Sequence, residues 1–210
     1  MVAGEKMIAE TYENVSVFFS DIVGFTKLSQ QVSAEELVRM LNGIFTQFDQ
    51  IARKHGLEKI KTIGDAYMAV AGAPTVHENN AERAAFFALE VAEIMKNYHT
   101  DMGEKIDIRI GLHSGSAVAG IIGENKFAYD LWGDAVNTAA RMESHGEPGK
   151  IHVSEEFLKK LLMVNGVWLM DVADEFSALT INHLPLTIIP RGEMEIKGKG
   201  MMKTYFLEKT

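Results

Sequence analysis

An α+β sandwich is the fold class this sequence predicts, on three observations. Val15–Ser20 (VSVFFS) is a short apolar run of strand-forming residues. Ser33-Ala-Glu-Glu36 is a capping box, and it opens a helix whose apolar residues Leu37, Leu41, Ile44, Phe48 and Ile51 recur every three or four positions. Leu57–Ile63 and Ala66–Ala71 are two further strand-like runs joined at Gly64-Asp65, the pattern of a hairpin with a tight acidic turn.

The other elements follow in order. Gly56 is placed to stop the first helix. A second helix is predicted over Ala81–Tyr98, with Ala84, Ala88, Val91 and Met95 on one face. Ile106–His113 alternates as a strand, and Ser116–Ile122 reads as its partner. The order strand, helix, strand, strand, helix, strand is that of a ferredoxin-like sandwich: a βαββαβ core, an antiparallel sheet and both core helices on one face. C-terminal additions comprise a helix over Gly133–Ser144, a short strand at Ile151–Val153, a helix from Ser154, and closing strands near Glu193–Lys197 and Thr204–Leu207. Leu161–Pro190 holds Trp168, Phe176, Leu184 and Ile188 without a sustained period and reads as an inserted lobe.

Composition narrows the chemistry. The chain has 210 residues and no cysteine, which removes disulfides, zinc ribbons and thiol nucleophiles together. Its length suffices to bury roughly 70% of the unfolded surface without a metal or disulfide staple. The 7 His are scattered, with no H-x-x-x-H pair. A net charge of −8 argues against a nucleic-acid polymer as partner, while a local basic pocket for a small phosphate compound stays open. No apolar run of about 18 residues is present, and Met1-Val-Ala-Gly-Glu-Lys has no signal-peptide core.

Topology brings two carboxylates together. Asp21 closes the first strand and Asp65 opens the third, and in this sandwich those strands are antiparallel neighbours. Two adjacent carboxylates repel unless a cation lies between them, and oxygen ligands of this kind suit Mg²⁺ or Mn²⁺ beside phosphate. Each residue alone also reads as a turn or cap. Ile22-Val-Gly-Phe-Thr26 is a glycine-containing turn whose backbone N–H groups and Thr26 hydroxyl suit a phosphate. Asn137 and Arg141 share a helix face, as exposed polar pairs often do. Lys197 and Lys199 lie among glycines, in either a phosphate-gripping loop or a solvated hairpin. The loop is not a Walker motif, and no G-x-S-x-G elbow accompanies His113-Ser114.

Five segments in order then resemble the catalytic domain of class III nucleotidyl cyclases: Phe18-Phe-Ser-Asp-Ile-Val-Gly-Phe-Thr26, Glu58-Lys-Ile-Lys-Thr-Ile-Gly-Asp-Ala-Tyr67, Arg109-Ile-Gly-Leu-His-Ser-Gly115, Tyr129-Asp-Leu-Trp-Gly-Asp-Ala-Val-Asn-Thr-Ala-Ala-Arg141 and Lys197-Gly-Lys-Gly200. The resemblance covers nearly the whole chain except Leu161–Pro190. It implies a domain over residues 15–210, preceded by a linker at 1–14 from an upstream sensor or membrane module, with an unusual insertion at about 161–190. A diguanylate cyclase on a related fold would carry Gly-Gly-Asp/Glu-Glu-Phe where this chain has Ile63-Gly-Asp-Ala66.

The resemblance also implies roles. Asp21, Asp65 and the Ile22 backbone carbonyl are expected to hold two Mg²⁺ or Mn²⁺ ions per active site. Lys61 and Asp130 stand where the family reads the purine; its guanine-reading members carry Glu and Cys there, so ATP is expected in preference to GTP. Asn137 orients the ribose and Arg141 meets the charge that develops on the α-phosphate. Arg109 and Lys197 bind the triphosphate, with Lys199 a weaker candidate, and Phe25 and Thr26 line the substrate site. The implied product is cyclic AMP, made in signal transduction by a homodimer with two shared sites. A cytoplasmic location is implied, as the cytosolic domain of a membrane-anchored receptor-type protein. Guanylate cyclase activity and a non-catalytic regulatory domain are the alternatives.

Overall fold

The computed structural model describes residues 9–122, 128–164, 179–180 and 184–210. The first half contains β1 (Ala9–Ile22), α1 (Phe25–Gln31), α2 (Ala34–His55), β2 (Glu58–Ile63), β3 (Ala66–Ala71), α3 (Asn80–Met95) and β4 (Ile108–Ile122). This is the expected βαββαβ core, with the single short helix α1 added after β1. The Ser33 hydroxyl accepts the Glu36 N–H at 3.2 Å while the Ser33 N–H donates to the Glu36 carboxylate at 2.9 Å, so the capping box is complete. Gly56 ends α2 with a left-handed φ of 72°.

β1 is the spine of the sheet. It pairs antiparallel with β3, Ser20 opposite Tyr67, and antiparallel with β4, Asp21 opposite Arg109. The second half adds β5 (Ala128–Trp132), α4 (Asp134–Ser144), β6 (Ile151–Ser154), α5 (Glu155–Val164), β7 (Leu179–Thr180), β8 (Leu186–Ile196) and β9 (Gly200–Lys209). Among the described residues the sheet order is β2-β3-β1-β4-β6-β9-β8-β7, with β5 paired to β4.

Both faces of the sheet are covered, so Val15–Ser20 is buried throughout instead of alternating between buried and exposed. Phe18, Tyr67, Ala69 and Leu112 pack against Ile44 and Phe48 of α2, Phe87 and Val91 of α3, and Phe157 of α5. The Phe18 and Phe87 rings meet edge-on at 4.6 Å. Val17, Phe19, Met68 and Val70 face the other way and pack beneath Ala135 and Ala139 of α4. The two core helices therefore share one face, and α4 closes the opposite one.

Several boundaries differ from the sequence reading. Ile106–His113 and Ser116–Ile122 are not partners in a hairpin but parts of one continuous strand, β4. Ser114-Gly115 passes straight along β1: Gly115 pairs with Val15 and Ser114 with Ser16, whose hydroxyls meet at 2.7 Å. The strand that folds back on residues 118–122 is β5, only five residues long and interrupted by Asp130. β1 begins at Ala9, so Ala9–Asn14 lies in the sheet, paired with the far end of β4. In the Leu161–Pro190 segment, Leu184 and Ile188 are buried and β7 pairs with β8; Trp168 and Phe176 lie outside the described residues. Among the described residues no helix is long and apolar enough to cross a membrane.

Candidate active site

The two predicted carboxylates do converge. Asp21 sits at the end of β1, and the β2–β3 turn returns Asp65 beside it, with Gly64 at φ 63° supplying the left-handed residue that the tight turn requires. The Asp65 carboxyl lies within direct electrostatic reach of Asp21, beside the Ile22 backbone. Burial first, then the hydrogen bond and charge of Asp21, push Asp65 up to about 6. Without a cation the two carboxylates stand in electrostatic conflict. That electrostatic conflict is one a divalent ion relieves, so the donor set fits a hard cation. Among the described residues no cluster of three His, Asp or Glu side chains is arranged for a metal. A site built on two carboxylates leaves coordination positions for water and phosphate, as Mg²⁺ prefers.

Arg109 lies across the sheet from Asp21 and is engaged on both sides. Its Nη2 donates to Asp21 Oδ2 at 2.9 Å and its Nε to Glu143 Oε1 at 2.9 Å. Burial raises the Glu143 carboxyl above its ordinary range, with the Arg109 charge and hydrogen bond acting against that. The expected triphosphate ligand is thus held here by carboxylates. Glu143 was not singled out by the sequence reading, since Arg141-Met-Glu143 looks like an ordinary solvated helix end. A signal did exist in Gly111, within the otherwise β-rich Arg109–Leu112, because a glycine inside a strand often marks close backbone approach. A Cβ at Gly111 would fall 2.0 Å from the Glu143 backbone N and 2.6 Å from the Ala139 carbonyl oxygen. The missing side chain lets α4 lie directly on β4.

The second group of residues forms around α4 and β5. Lys61 Nζ meets Asp130 Oδ2 at 2.5 Å, joining β2 to β5 although the two strands are not neighbours in the sheet. Bulges at Tyr12/Val15 and Lys59/Lys61 accompany this approach, consistent with the bending that bulges impose. The other Asp130 oxygen accepts the Leu131 N–H at 2.8 Å. On α4, Ala135, Ala139 and Met142 turn inward, which leaves Asn137 exposed and Arg141 half-buried, one turn apart. Arg141 donates to the Lys197 backbone carbonyl, tying α4 to the β8–β9 turn, and Lys199 pairs with Asp134. The Lys197 side chain is exposed. Phe25, half-buried against the core, and exposed Thr26 open α1.

The structure therefore brings Asp21, Asp65, Arg109 and Glu143 together at one strand end. It brings Lys61 to Asp130, and Arg141 to the Lys197 turn. Among the described residues no hydrogen bond or ion pair links the carboxylate group to Lys61, Asp130 or Arg141.

The sequence matches the model of the adenylate and guanylate cyclase catalytic domain over residues 7–209. An adenylate cyclase of Mycobacterium tuberculosis is 37% identical over 202 residues, 96% of this chain and 41% of that protein. The receptor-type guanylate cyclase gcy-6 of Caenorhabditis elegans is 40% identical over 209 residues, 98% of this chain and 18% of that protein. The chain thus spans less than half the length of either relative. The guanylate cyclase domain of RhGC from Catenaria anguillulae, solved in complex with GTP, superposes with a TM-score of 0.80 at 40% identity, covering 95% of this chain and 98% of that one. On the match along its length and on the shared fold, this chain belongs to the family of class III adenylate and guanylate cyclase catalytic domains.

Proposed function

We propose that the chain is the catalytic domain of an adenylate cyclase, converting ATP to 3′,5′-cyclic AMP and pyrophosphate. The observation that carries the choice of purine is the Lys61–Asp130 pair, an ammonium beside a carboxylate at 2.5 Å. With Lys61 toward N1 and Asp130 toward position 6, adenine offers an acceptor to the ammonium and an amino donor to the carboxylate. Guanine in the same pose sets N1–H against the ammonium and O6 against the carboxylate. Partly buried polar groups left unpaired in this way discriminate strongly, so ATP is preferred by about 100-fold or more.

In the reaction the ribose 3′ oxygen attacks the α-phosphorus, the bond to the bridging oxygen breaks, pyrophosphate leaves, and the hydroxyl proton passes to solvent. Asn137 orients the ribose. Arg141 meets the charge that grows on the α-phosphate in the transition state. Arg109 and Lys197 hold the triphosphate, assisted by Lys199, while Phe25 and Thr26 border it. Asp21, Asp65 and the Ile22 carbonyl would hold two Mg²⁺ or Mn²⁺ ions, which would supply charge stabilisation to the attacking 3′ oxygen and the leaving pyrophosphate.

The test is the product formed from ATP and from GTP, separated by chromatography. Cyclic AMP is expected from the native chain, and a shift toward cyclic GMP from the double variant Lys61→Glu/Asp130→Cys. Cyclic GMP as the main product of the native chain overturns the purine assignment.

The separation of the carboxylate group from Lys61, Asp130 and Arg141 within one chain supports a homodimer with two shared sites. Asp21→Ala and Asn137→Ala are each expected to be inactive alone. Mixed in equal amounts with free exchange, they should regain about a quarter of native activity, because half the dimers then carry one intact site. No recovery despite demonstrated subunit exchange overturns the shared-site arrangement. The greater length of the relatives supports a place inside a longer, receptor-type signalling protein, with an upstream sensor or membrane module joined through the N-terminal linker and this domain facing the cytoplasmic ATP supply.

A further inference from the structure

Arg109 stands between two carboxylates with different surroundings. Asp21, on one side, belongs to the pair proposed to hold the cations, and its contact with Arg109 involves side chains 25% and 30% exposed. Glu143, on the other side, projects from the last turn of α4 and is 12% exposed. We infer that Glu143 is a positioning residue: it tethers Arg109 through Nε, so that the guanidinium serves as a resident counter-ion of Asp21 that an arriving divalent cation displaces without driving Arg109 from the site. This deepens the proposed cyclase reading and rests on its two-carboxylate site.

The physical argument is one of unequal contacts. A carboxylate as enclosed as Glu143 is costly to leave unpaired, so its bond to Arg109 Nε is the one that persists. The contact from Nη2 to Asp21 is more exposed and correspondingly weak, so it exchanges readily. A divalent cation at Asp21 repels the guanidinium and competes for the same oxygen. Once Asp21 is surrendered, the Nη groups remain on the planar fork with free donors, while Nε stays on Glu143. A fork held at one edge and free at the other is suited to the oxygens of a triphosphate. Loading of the cation thereby releases the anion-binding face of Arg109. Before loading, the same guanidinium partly neutralises two crowded carboxylates.

The experiment is a Mn²⁺ titration of the nucleotide-free protein followed by electron paramagnetic resonance, on the native chain and on Arg109→Gln, Glu143→Gln, Arg109→Gln/Glu143→Gln and Asp21→Asn. Removing the competing cation in Arg109→Gln is expected to tighten Mn²⁺ binding about threefold, the scale of a partly exposed ion pair. Glu143→Gln leaves Arg109 to Asp21 alone and removes a nearby negative charge, so it weakens Mn²⁺ about twofold. That variant also raises the KM for the nucleotide more than it lowers kcat. The double variant, in which no buried carboxylate is stranded, is expected to bind Mn²⁺ more tightly than Glu143→Gln. Opposite shifts in the two single variants are the signature, because loss of fold would weaken both. Equal affinities in the native chain and Arg109→Gln, with Asp21→Asn reducing binding, overturn the counter-ion role and leave the metal reading standing. Unchanged Mn²⁺ binding in Asp21→Asn overturns both.

Discussion

Replacing Asp65 with Asn is expected to abolish turnover and, in the same protein, to raise the melting temperature of the metal-free form. Loss of one oxygen ligand from the proposed cation site would remove charge stabilisation worth at least about 100-fold in rate. Stability moves the other way because the Asp65 carboxyl is pushed from 3.8 up to about 6 by burial and by Asp21. The neutral form is favoured in the fold, whereas the unfolded chain ionises freely above about 3.8. Native Asp65 therefore leaves the fold progressively less stable as pH rises from about 3.8 to about 6, and the deficit persists in full above that. The side chain is partly exposed, and after discounting for solvent screening the deficit is about 1 kcal/mol. For a chain of this size that corresponds to roughly 3 °C. Thermal melts in chelator at pH 8 should show Asp65→Asn melting higher. The gain should shrink as pH falls below about 6 and vanish near 3.8. A melting temperature equal to or below that of the native chain at pH 8 contradicts the crowding of the carboxylates.

Gly111→Ala is expected to be severely damaging although it adds only one methyl group. The backbone conformation is not the obstacle, since Gly111 is not among the glycines with positive φ. The obstacle is space: the new Cβ would fall 2.0 Å from the Glu143 N and 2.6 Å from the Glu143 Cα, both backbone atoms of a packed helix. Overpacking of this kind costs about 3 kcal/mol. It also forces α4 away from β4, and α4 carries Asn137, Arg141 and Glu143. A misplacement near 1 Å lowers turnover on the order of 100-fold. Gly115→Ala is the comparison, since its Cβ would come no nearer than 3.2 Å to the Ala135 Cβ and 3.3 Å to the His113 Nε2, both side-chain atoms. Denaturant unfolding and steady-state rates should rank Gly111→Ala well below Gly115→Ala. Equal effects would mean that the close approach of α4 is not what Gly111 provides.

Legibility varied with the range of the interaction. Ser33 and Glu36 cap α2 as read, because a capping box is satisfied within one turn. The β2–β3 hairpin also lies where Gly64-Asp65 placed it, because turn chemistry is local. The course of β4 did not follow the reading. A turn was expected between His113 and Ser116, but Ser114 and Gly115 pair with Ser16 and Val15 of β1 and the chain stays extended there. β5 was missed for a related reason: Ala128–Trp132 is short and carries Asp130 at its centre, and its pairing with β4 is what makes it a strand.

The class of fold, the resemblance to a family and the identity of the residues around which the site is proposed were all legible in the order of the residues. Periodicity, caps and short motifs carry that information within a few residues. Tertiary structure alone decided how those residues are engaged. It placed α4 on the face opposite α2 and α3, set Arg109 between Asp21 and Glu143, and joined Lys61 to Asp130. Each of these depends on contacts between residues far apart in the chain, whose distance and burial set the charge balance of the site. No local pattern encodes a separation in space, and for Glu143 the nearest hint was the absence of a side chain at Gly111.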